Sequence, residues 1–408
     1  MRVAIIGTGI SGLGAAHRLH DQVDLTIYEA SDWVGGHSHT VDVEVSGVQL
    51  AVDTGFIVYN ETTYPLLTEL FDELGVATEP SNMSFAIAGS APEYEGSLKG
   101  MMATRSAFLR PSHWRMIKDI LRFNRYVKTV DLDDPTQRLG DLIDDYSDVF
   151  KDRYLLPMGA AIWSTPTSDM ADYPAATLAR FFRNHGLVQL RDRPQWRTVT
   201  AGSRQYVDKL TRPYADRIRL DEPVIEVRRD DTSVHILSGS GTDRFDQVIF
   251  ATHADTTRAL LGSAATEQEQ AVLSRFKYSR NRAVLHTDQS FMPKQRRAWA
   301  SWNVATGDGN ELPCVTYWMN QLQNLPTPTP VFVTLNPAEE PQGQLGSWDY
   351  DHPTFDRAAI EAQAEVPGLQ GTLRTYYCGA YTRYGFHEDG LMSGYAAADA
   401  LMRQAATV

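Results

Sequence analysis

Three spaced glycines, one acid and a later glycine pair set the first chemical question. Gly7, Gly9 and Gly12 stand in the G-x-G-x-x-G spacing of "GTGISG", and Glu29 follows about 20 residues on. "EASDWVGGHSHT" then brings Gly35, Gly36 and His37. A residue without Cβ lets backbone pass close to a bulky group, and a carboxylate accepts hydrogen bonds from a sugar. Taken in order, these residues describe a seat for a dinucleotide. Gly7 suits a tight turn, Gly9 approach to a pyrophosphate, Gly12 close packing of helix on strand, and Glu29 a ribose. The elements that must position them surround the motif. "MRVAII" is a β-branched run suited to a buried parallel strand, "LGAAHRLHD" has helical spacing, and "VDLTIYE" is a second strand ending in Glu29. The N-terminus of the intervening helix is expected to turn unsatisfied N–H groups and a partial positive charge on the phosphates.

Composition narrows the class. At 408 residues the chain exceeds the size of one core, so two domains are expected. Hydrophobic content of 42% and charged content of 22% are ordinary for a globular protein. A net charge of −13 argues against nucleic acid as a partner, because nucleic acid selects a basic face. Cys314 and Cys378 are the only cysteines, which excludes a disulfide framework and predicts a reducing, cytoplasmic location. His37 and His39 have no companions at metal-ligand spacing, so no metal is expected. The N-terminus runs straight into the first strand, so no signal peptide is expected. No run of roughly 18 uncharged apolar residues is present to span a bilayer.

Along the chain, turns and strands of the same texture return in separate blocks. "VQLAVDTGFIVYNETTYPLLTELFDELGV", "WRTVTAGSRQYVDKL", "RIRLDEPVIEVRRDDTSVHILSGSGTDRFDQVIFAT" and "RTYYCGAYTRYGFHEDGLMSGYAAADAL" each pair a strand with a turn or a helix. Between them lie a helical stretch and a strand-rich stretch. The expected division gives 1–91, 194–266 and 368–408 to a dinucleotide-binding domain. It gives 92–193 and 267–367 to a substrate domain.

The Gly35 and Gly36 pair after the acid resembles the signature of two-dinucleotide-binding-domain flavoproteins: amine oxidases, phytoene desaturases and protoporphyrinogen oxidases. "VDTGFIVYNE", "YLLPMGAAIWSTP", "FFRNHGLVQLRDRPQWRTV", "NRAVLHTD", "WASWN", "VTYWMN" and "YGFHEDGLMSG" narrow the likeness. The chain resembles a bacterial group of FAD-dependent, amine-oxidase-like proteins encoded beside cyclopropane-fatty-acid synthases. Flavin-dependent fatty acyl desaturases of furan fatty acid synthesis are related to that group. The resemblance covers essentially the whole chain. It implies an α/β fold with a Rossmann-like FAD domain in flavin amine oxidase topology, and a discontinuous α+β substrate domain. It implies FAD contacts at Gly7, Gly9, Ile10, Ser11, Gly12, Glu29, Ala30, Gly35, Gly36 and His37, the last standing where these flavoproteins usually have Arg. Gly55 and Phe56 are expected beside the isoalloxazine, the Val224 backbone at the adenine, and Ala251 and Gly379 at further strand ends. Ala380 replaces the usual acid on the ribitol, and a helix starting near Gly390 and Leu391 is expected to aim N–H groups at the flavin's pyrimidine edge. With Cys378 the one cysteine near these loops, the flavin is expected to be held non-covalently.

By the same resemblance, Tyr384 to Glu388 occupies one wall of an aromatic cage over the flavin. His387 is the first candidate for proton transfer, because imidazole titrates near neutrality. Glu388, Tyr59 and Tyr384 are further catalytic candidates, with helix capping the competing role for Glu388. His286 and the tryptophans 299, 302 and 318 are expected to be structural. The implied activity is desaturation of an unsaturated or methyl-branched phospholipid acyl chain by hydride transfer to flavin N5. The alternatives are an amine or polyene oxidase, and a non-catalytic flavin-holding partner of a lipid methyltransferase.

One segment reverses the local charge. Residues 105–128 carry Arg105, Arg110, Arg115, Lys118, Arg122, Arg125 and Lys128 against Asp119 as the only acid. Trp114, Ile117 and Leu121 recur there at helical spacing. The pattern predicts a helix in contact with the inner face of an anionic membrane.

Overall fold

The computed structural model describes residues 1–89, 92–97, 99–129, 137–163, 165–184, 194–306 and 312–406. The part of the resembling sequence at 185–193 lies outside the described residues.

The apolar run at the N-terminus forms the strand Arg2–Ile6 at the centre of a five-stranded sheet. Asp24–Tyr28 and Gln247–Phe250 flank it, with Ile218–Arg219 and Thr375–Tyr377 at the edges, and every pair is parallel. Val3 and Ile5 pack on one side with the helix Ile10–Leu19, while Ala4 and Ile6 pack on the other. Burial on both faces explains why the strand reads as a continuous apolar run rather than an alternation. The helix His387–Ala405 lies against Ile10–Leu19 so closely that a Cβ at Gly394 would fall 2.1 Å from the Ser11 carbonyl oxygen. The antiparallel strands Val224–Arg229, Val234–Ser238 and Gly241–Phe245 cover the opposite face.

A second, seven-stranded sheet runs in the order Gln344–Thr354, Lys277–His286, Phe332–Leu335, Val315–Trp318, Trp302–Ala305, Phe85–Ala88, Tyr94–Glu95. One side of it, with Ile87, Val304 and Val315, packs on a helical layer that includes Pro111–Val127, Leu156–Trp163 and Ala175–Asn184. Its other side meets the hairpin Thr40–Val45 and Val48–Asp53. Among the described residues no helix is long and apolar enough to cross a membrane.

The observed layers shift three expected boundaries. Phe85–Ala88 falls before residue 91 yet pairs with Trp302–Ala305 in the large sheet. The helices Glu267–Leu273 and Arg357–Gln363 fall inside the expected substrate segment, yet Val272, Leu273, Ala359 and Ala362 are buried beside Ala4 and Val248 of the parallel sheet. A short amphipathic helix displays an apolar face in sequence without saying which sheet will cover it.

Candidate active site

A cavity of about 840 Å³ begins at the first glycine turn and ends in the helical layer. At its first end the turn is shaped by close approach. Gly7 has φ +104°, and a Cβ at Gly12 would sit 2.0 Å from the Gly7 carbonyl oxygen. A Cβ at Gly9 would meet nothing within 4 Å, so the space beside it is open and belongs to the cavity. Ile10 and Ser11, the first two residues of the helix, also line it. A helix leaves its first N–H groups without intrahelical partners, and this end is therefore suited to an anion.

Glu29 ends the second strand with its carboxylate held in place. It accepts the Thr8 and Ser31 backbone N–H groups at 2.9 Å each, and the Thr8 hydroxyl. The Glu222 N–H bonds the Glu29 carbonyl at 2.9 Å, which brings the strand beginning at Val224 alongside. Glu29, Ala30 and Val224 lie at these strand ends outside the enclosed cavity.

Both Gly35 and Gly36 have positive φ, +118° and +57°. A Cβ at Gly36 would lie 3.0 Å from the Gly9 Cα, and the Gly35 N–H donates to the Thr8 hydroxyl at 3.2 Å. The second glycine pair therefore lets one loop press against the first, a tertiary contact that spacing does not reveal. Gly55 serves the same end, since its Cβ would fall 2.3 Å from the His37 carbonyl oxygen.

His37 borders the cavity with its Nε2 buried and without a hydrogen-bond partner among the described residues. Tyr350, His352 and His253 surround it at ring-centre distances of 5.0, 5.4 and 6.4 Å. Burial, and then the neighbouring imidazoles, hold its pKa well below the ordinary histidine value. It stands there neutral, not as the cation that Arg supplies at this position elsewhere.

The C-terminal helix departs from expectation. It starts at His387, not near Gly390, and the Gly390 N–H is already used by the Phe386 carbonyl at 3.0 Å. Gly390 and Leu391 do not line the cavity. A Cβ at Gly390 would meet Ile10 Cγ2 at 2.7 Å, and Leu391 is core. Both positions answer to helix packing. Gly379 does line the cavity, and its N–H donates to the Ser393 hydroxyl at 2.9 Å, a partner nearly two turns into that helix that the motifs did not point to.

The four catalytic candidates separate. His387 lines the cavity with its ring stacked on Phe56 at 3.8 Å, and its Nε2 is 2.7 Å from the Tyr206 hydroxyl. Burial lowers its pKa to about 3. An imidazole that gives up its proton so readily is a poor proton acceptor at neutral pH, which removes the reason for choosing it. Glu388 points away from the cavity and accepts the Leu66 and Leu67 N–H groups at 2.8 and 3.0 Å, capping the helix Pro65–Glu73. Tyr59 is core, in edge contact with Tyr64 and Phe71. Tyr384 lines the cavity, with its hydroxyl taking a bond from Arg180 at 3.1 Å. His286 is structural as expected, bonded to the Thr334 hydroxyl at 2.7 Å. Trp302 is not simply core, because it lines the cavity and its indole N–H has no partner among the described residues.

Asp53 is a further residue the motifs did not single out. Fully buried, it accepts the Ser203 N–H at 2.9 Å, the Ser203 hydroxyl at 2.7 Å and the Gln323 amide at 2.7 Å. It thus ties the hairpin, the "TAGSR" turn and the strand-rich layer together just before Gly55. Burial pushes its pKa up to about 6. The signal was an acid closing the apolar run "VQLAVD".

Beyond Phe56 the walls are mainly apolar, with Glu95, Lys99 and Asn124 among the charged and polar side chains there. Phe85, Met101, Ile117, Met158, Phe181 and Phe355 line the far arm. Neither Cys314 nor Cys378 borders it; both are buried.

A parallel sheet with a glycine turn and acid at its strand ends, opening into a large cavity under a second sheet, is the arrangement of a dinucleotide-binding protein. The chain belongs to the family of flavin containing amine oxidoreductases, whose model matches residues 10–336. FAD is accordingly its cofactor, and the open space at Gly9, the interlocked glycine loops and the fixed Glu29 carboxylate fit that molecule. Among solved structures, cyclohexylamine oxidase from Brevibacterium oxydans IH-35A is similar at 16% identity over 99% of both chains, with a TM-score of 0.73. A protein described as a protoporphyrinogen oxidase, from Exiguobacterium sp. 255-15, is similar at 15% identity over 99% of both, with a TM-score of 0.70. A conjugated-linoleic-acid-producing fatty acid isomerase from P. acnes is similar at 14% identity over 98% of both, with a TM-score of 0.69. No curated protein matches the chain in sequence.

Proposed function

We propose that the protein oxidises a fatty acyl chain, desaturating an unsaturated or methyl-branched phospholipid tail. The observation that carries this reading is the cavity's far arm, walled by methionine, aliphatic and aromatic side chains from the glycine loops to the helical layer. A volume of about 840 Å³ is near the upper end of the roughly 300–1,000 Å³ of small-molecule sites. The chemistry of bound FAD is two-electron acceptance from a C–H bond. The chain's own part is to hold the tail extended, to exclude water, and to keep the imidazoles of His37, His352 and His387 neutral beside it. Tyr384, Phe386 and Phe56 form the apolar wall nearest His387. The resemblance to acyl desaturases supports the reading, and the fold is shared with a fatty acid isomerase. With both cysteines buried away from the cavity, no cysteinyl–flavin bond is expected.

An amine is the second reading, favoured by the family and by the carboxylates of Glu95 and Asp351 on the cavity wall. Anaerobic titration of the FAD-loaded protein decides between them. Stoichiometric bleaching of the flavin by a detergent-solubilised unsaturated phospholipid is expected. Bleaching by primary or secondary amines alone would establish the amine oxidase. Bleaching by neither would leave the flavin-holding partner of a lipid methyltransferase as the surviving reading.

A further inference from the structure

The helix Pro111–Val127 presents two unlike faces. Met116, Ile120, Phe123 and Val127 are buried in the core of the helical layer, and Asp119 is turned inward, accepting the Ser147 N–H at 3.1 Å. The other face is unusual. Trp114 is 49% exposed and Leu121 43%, and the preceding turn adds Phe108 at 55% and Leu109 at 85%. Four of the eight large hydrophobic side chains exposed among the described residues thus fall within one short segment. The Trp114 indole N–H donates to the Phe108 carbonyl at 3.1 Å and fixes that turn against the helix.

Cations accompany the apolar groups. Trp114, Lys118, Leu121 and Arg125 stand at i, i+4, i+7 and i+11 and so share one line along the helix. Arg115 and Lys128 are exposed beside that line. The Arg105 side chain lies outside the described residues. Arg122 is committed elsewhere, packed on Tyr146 at 4.2 Å and bonded to the Asp145 carbonyl. The exposed acids Asp144, Asp145 and Asp148 follow on from there, so they flank the helix on the Arg122 side. The opposite flank leads into the cavity, which Ile117, Leu121 and Asn124 line. Leu121 is therefore both exposed and part of the cavity wall.

We propose that this face seats on an anionic lipid bilayer, with Phe108, Leu109 and Trp114 entering the interface and Lys118, Arg125 and Lys128 meeting head-group phosphates. The acyl chain then enters past Leu121 and Ile117 without crossing water. Charge complementarity selects the occupant: a chain of net charge −13 keeps a local cationic, apolar face on a helix that also lines the cavity through Ile117 and Leu121. The entry route rests on the acyl-chain reading above; the docking does not.

Co-sedimentation of the FAD-loaded protein with phosphatidylglycerol-containing vesicles tests the docking. Binding is expected at low salt, to fall with added salt, and to be much weaker on pure phosphatidylcholine. Two variants, Lys118→Glu/Arg125→Glu/Lys128→Glu and Phe108→Ser/Leu109→Ser, are each expected to weaken it tenfold or more. Neither is expected to alter flavin reduction by detergent-solubilised phospholipid, since none of the five residues lines the cavity. Unchanged vesicle binding in both variants, or no binding by the parent at low salt, would overturn the docking. Vesicle binding without any reduction by solubilised lipid would leave the docking standing and refute the acyl-chain reading.

Discussion

The two ends of the cavity are built by opposite means. Around Gly7 to Gly12 and Gly35 to Gly36, backbone touches backbone, and missing side chains create the site. In the far arm the side chains themselves are the site: Met101, Ile117, Met158 and Phe181 come from separate elements of the helical layer. The first end tolerates almost no added atom, except at Gly9. The second is soft and irregular, and methionine suits such a wall because it adapts to shape. Recognition of a constant cofactor is thus rigid, and accommodation of a chain-like substrate is compliant.

The strongest way to break the contrast is to disturb the rigid half away from the cofactor. Arg229 and Glu269 form a fully buried, two-pronged ion pair behind the parallel sheet, with both N–O distances near hydrogen-bond length at 2.7 and 2.8 Å. Arg229→Met leaves the Glu269 carboxylate buried without its partner and is expected to cost about 3–5 kcal/mol. Urea unfolding would read it; a loss below 1 kcal/mol would show that the pair is dispensable. A methionine-to-leucine change in the far arm, Met158→Leu, is expected to cost less than about 1.5 kcal/mol by the same measurement.

Gly9→Val comes next. Because the Cβ position is open in the protein alone, the variant is expected to fold normally. The flavin is expected to be lost, with affinity for FAD down roughly a hundredfold, since the branched side chain takes the space at the helix N-terminus. A yellow protein with full FAD content would contradict the placement of the pyrophosphate. Gly12→Val, by contrast, collides with the Gly7 backbone and is expected to damage the fold itself.

A smaller effect concerns pH. Burial lowers the His286 and His352 values to about 4, so the flavin-free protein loses their contribution as pH falls from about 6.5 toward 4. Burial raises Asp53 and Asp389 to about 6, so these two add stability over nearly the same window as pH falls. His37 and His387 are lowered as well, so the histidines outweigh the two acids and the wild type is expected to lose stability with acid over this window. Asp53→Asn removes one of the opposing groups, and its urea midpoint is expected to fall more steeply with acid, by roughly 2 kcal/mol over the window. Parallel slopes would mean that Asp53 titrates at its ordinary value.

The smallest expected change is at His387. His387→Ala is expected to keep its FAD and to slow anaerobic reduction by less than tenfold, because the buried imidazole is a weak base. A loss of a hundredfold or more in stopped-flow reduction would restore it as the proton acceptor.

These contrasts follow the limits of the sequence. The strand, glycine turn, helix, strand and acid over residues 1–29 were legible because each depends on neighbours within a few positions, through missing Cβ atoms, helical period and the run of a buried strand. The strings that carry the family resemblance extended this to FAD and to the interrupted two-layer topology. The basic helix was legible too, by composition. Its division was not: nothing local separates Met116 and Phe123, which enter the core, from Trp114 and Leu121, which do not. Tertiary packing alone assigned Glu388 to the helix Pro65–Glu73 and Tyr59 to the core, and set Ser393 on the Gly379 N–H. It also made His387 a poor base, since burial, not residue type, sets its proton affinity. Residues 1–29 carry in their own order what a backbone loop must do; a side chain's neighbours, solvent and charge come from segments hundreds of residues away, and only the folded chain brings those together.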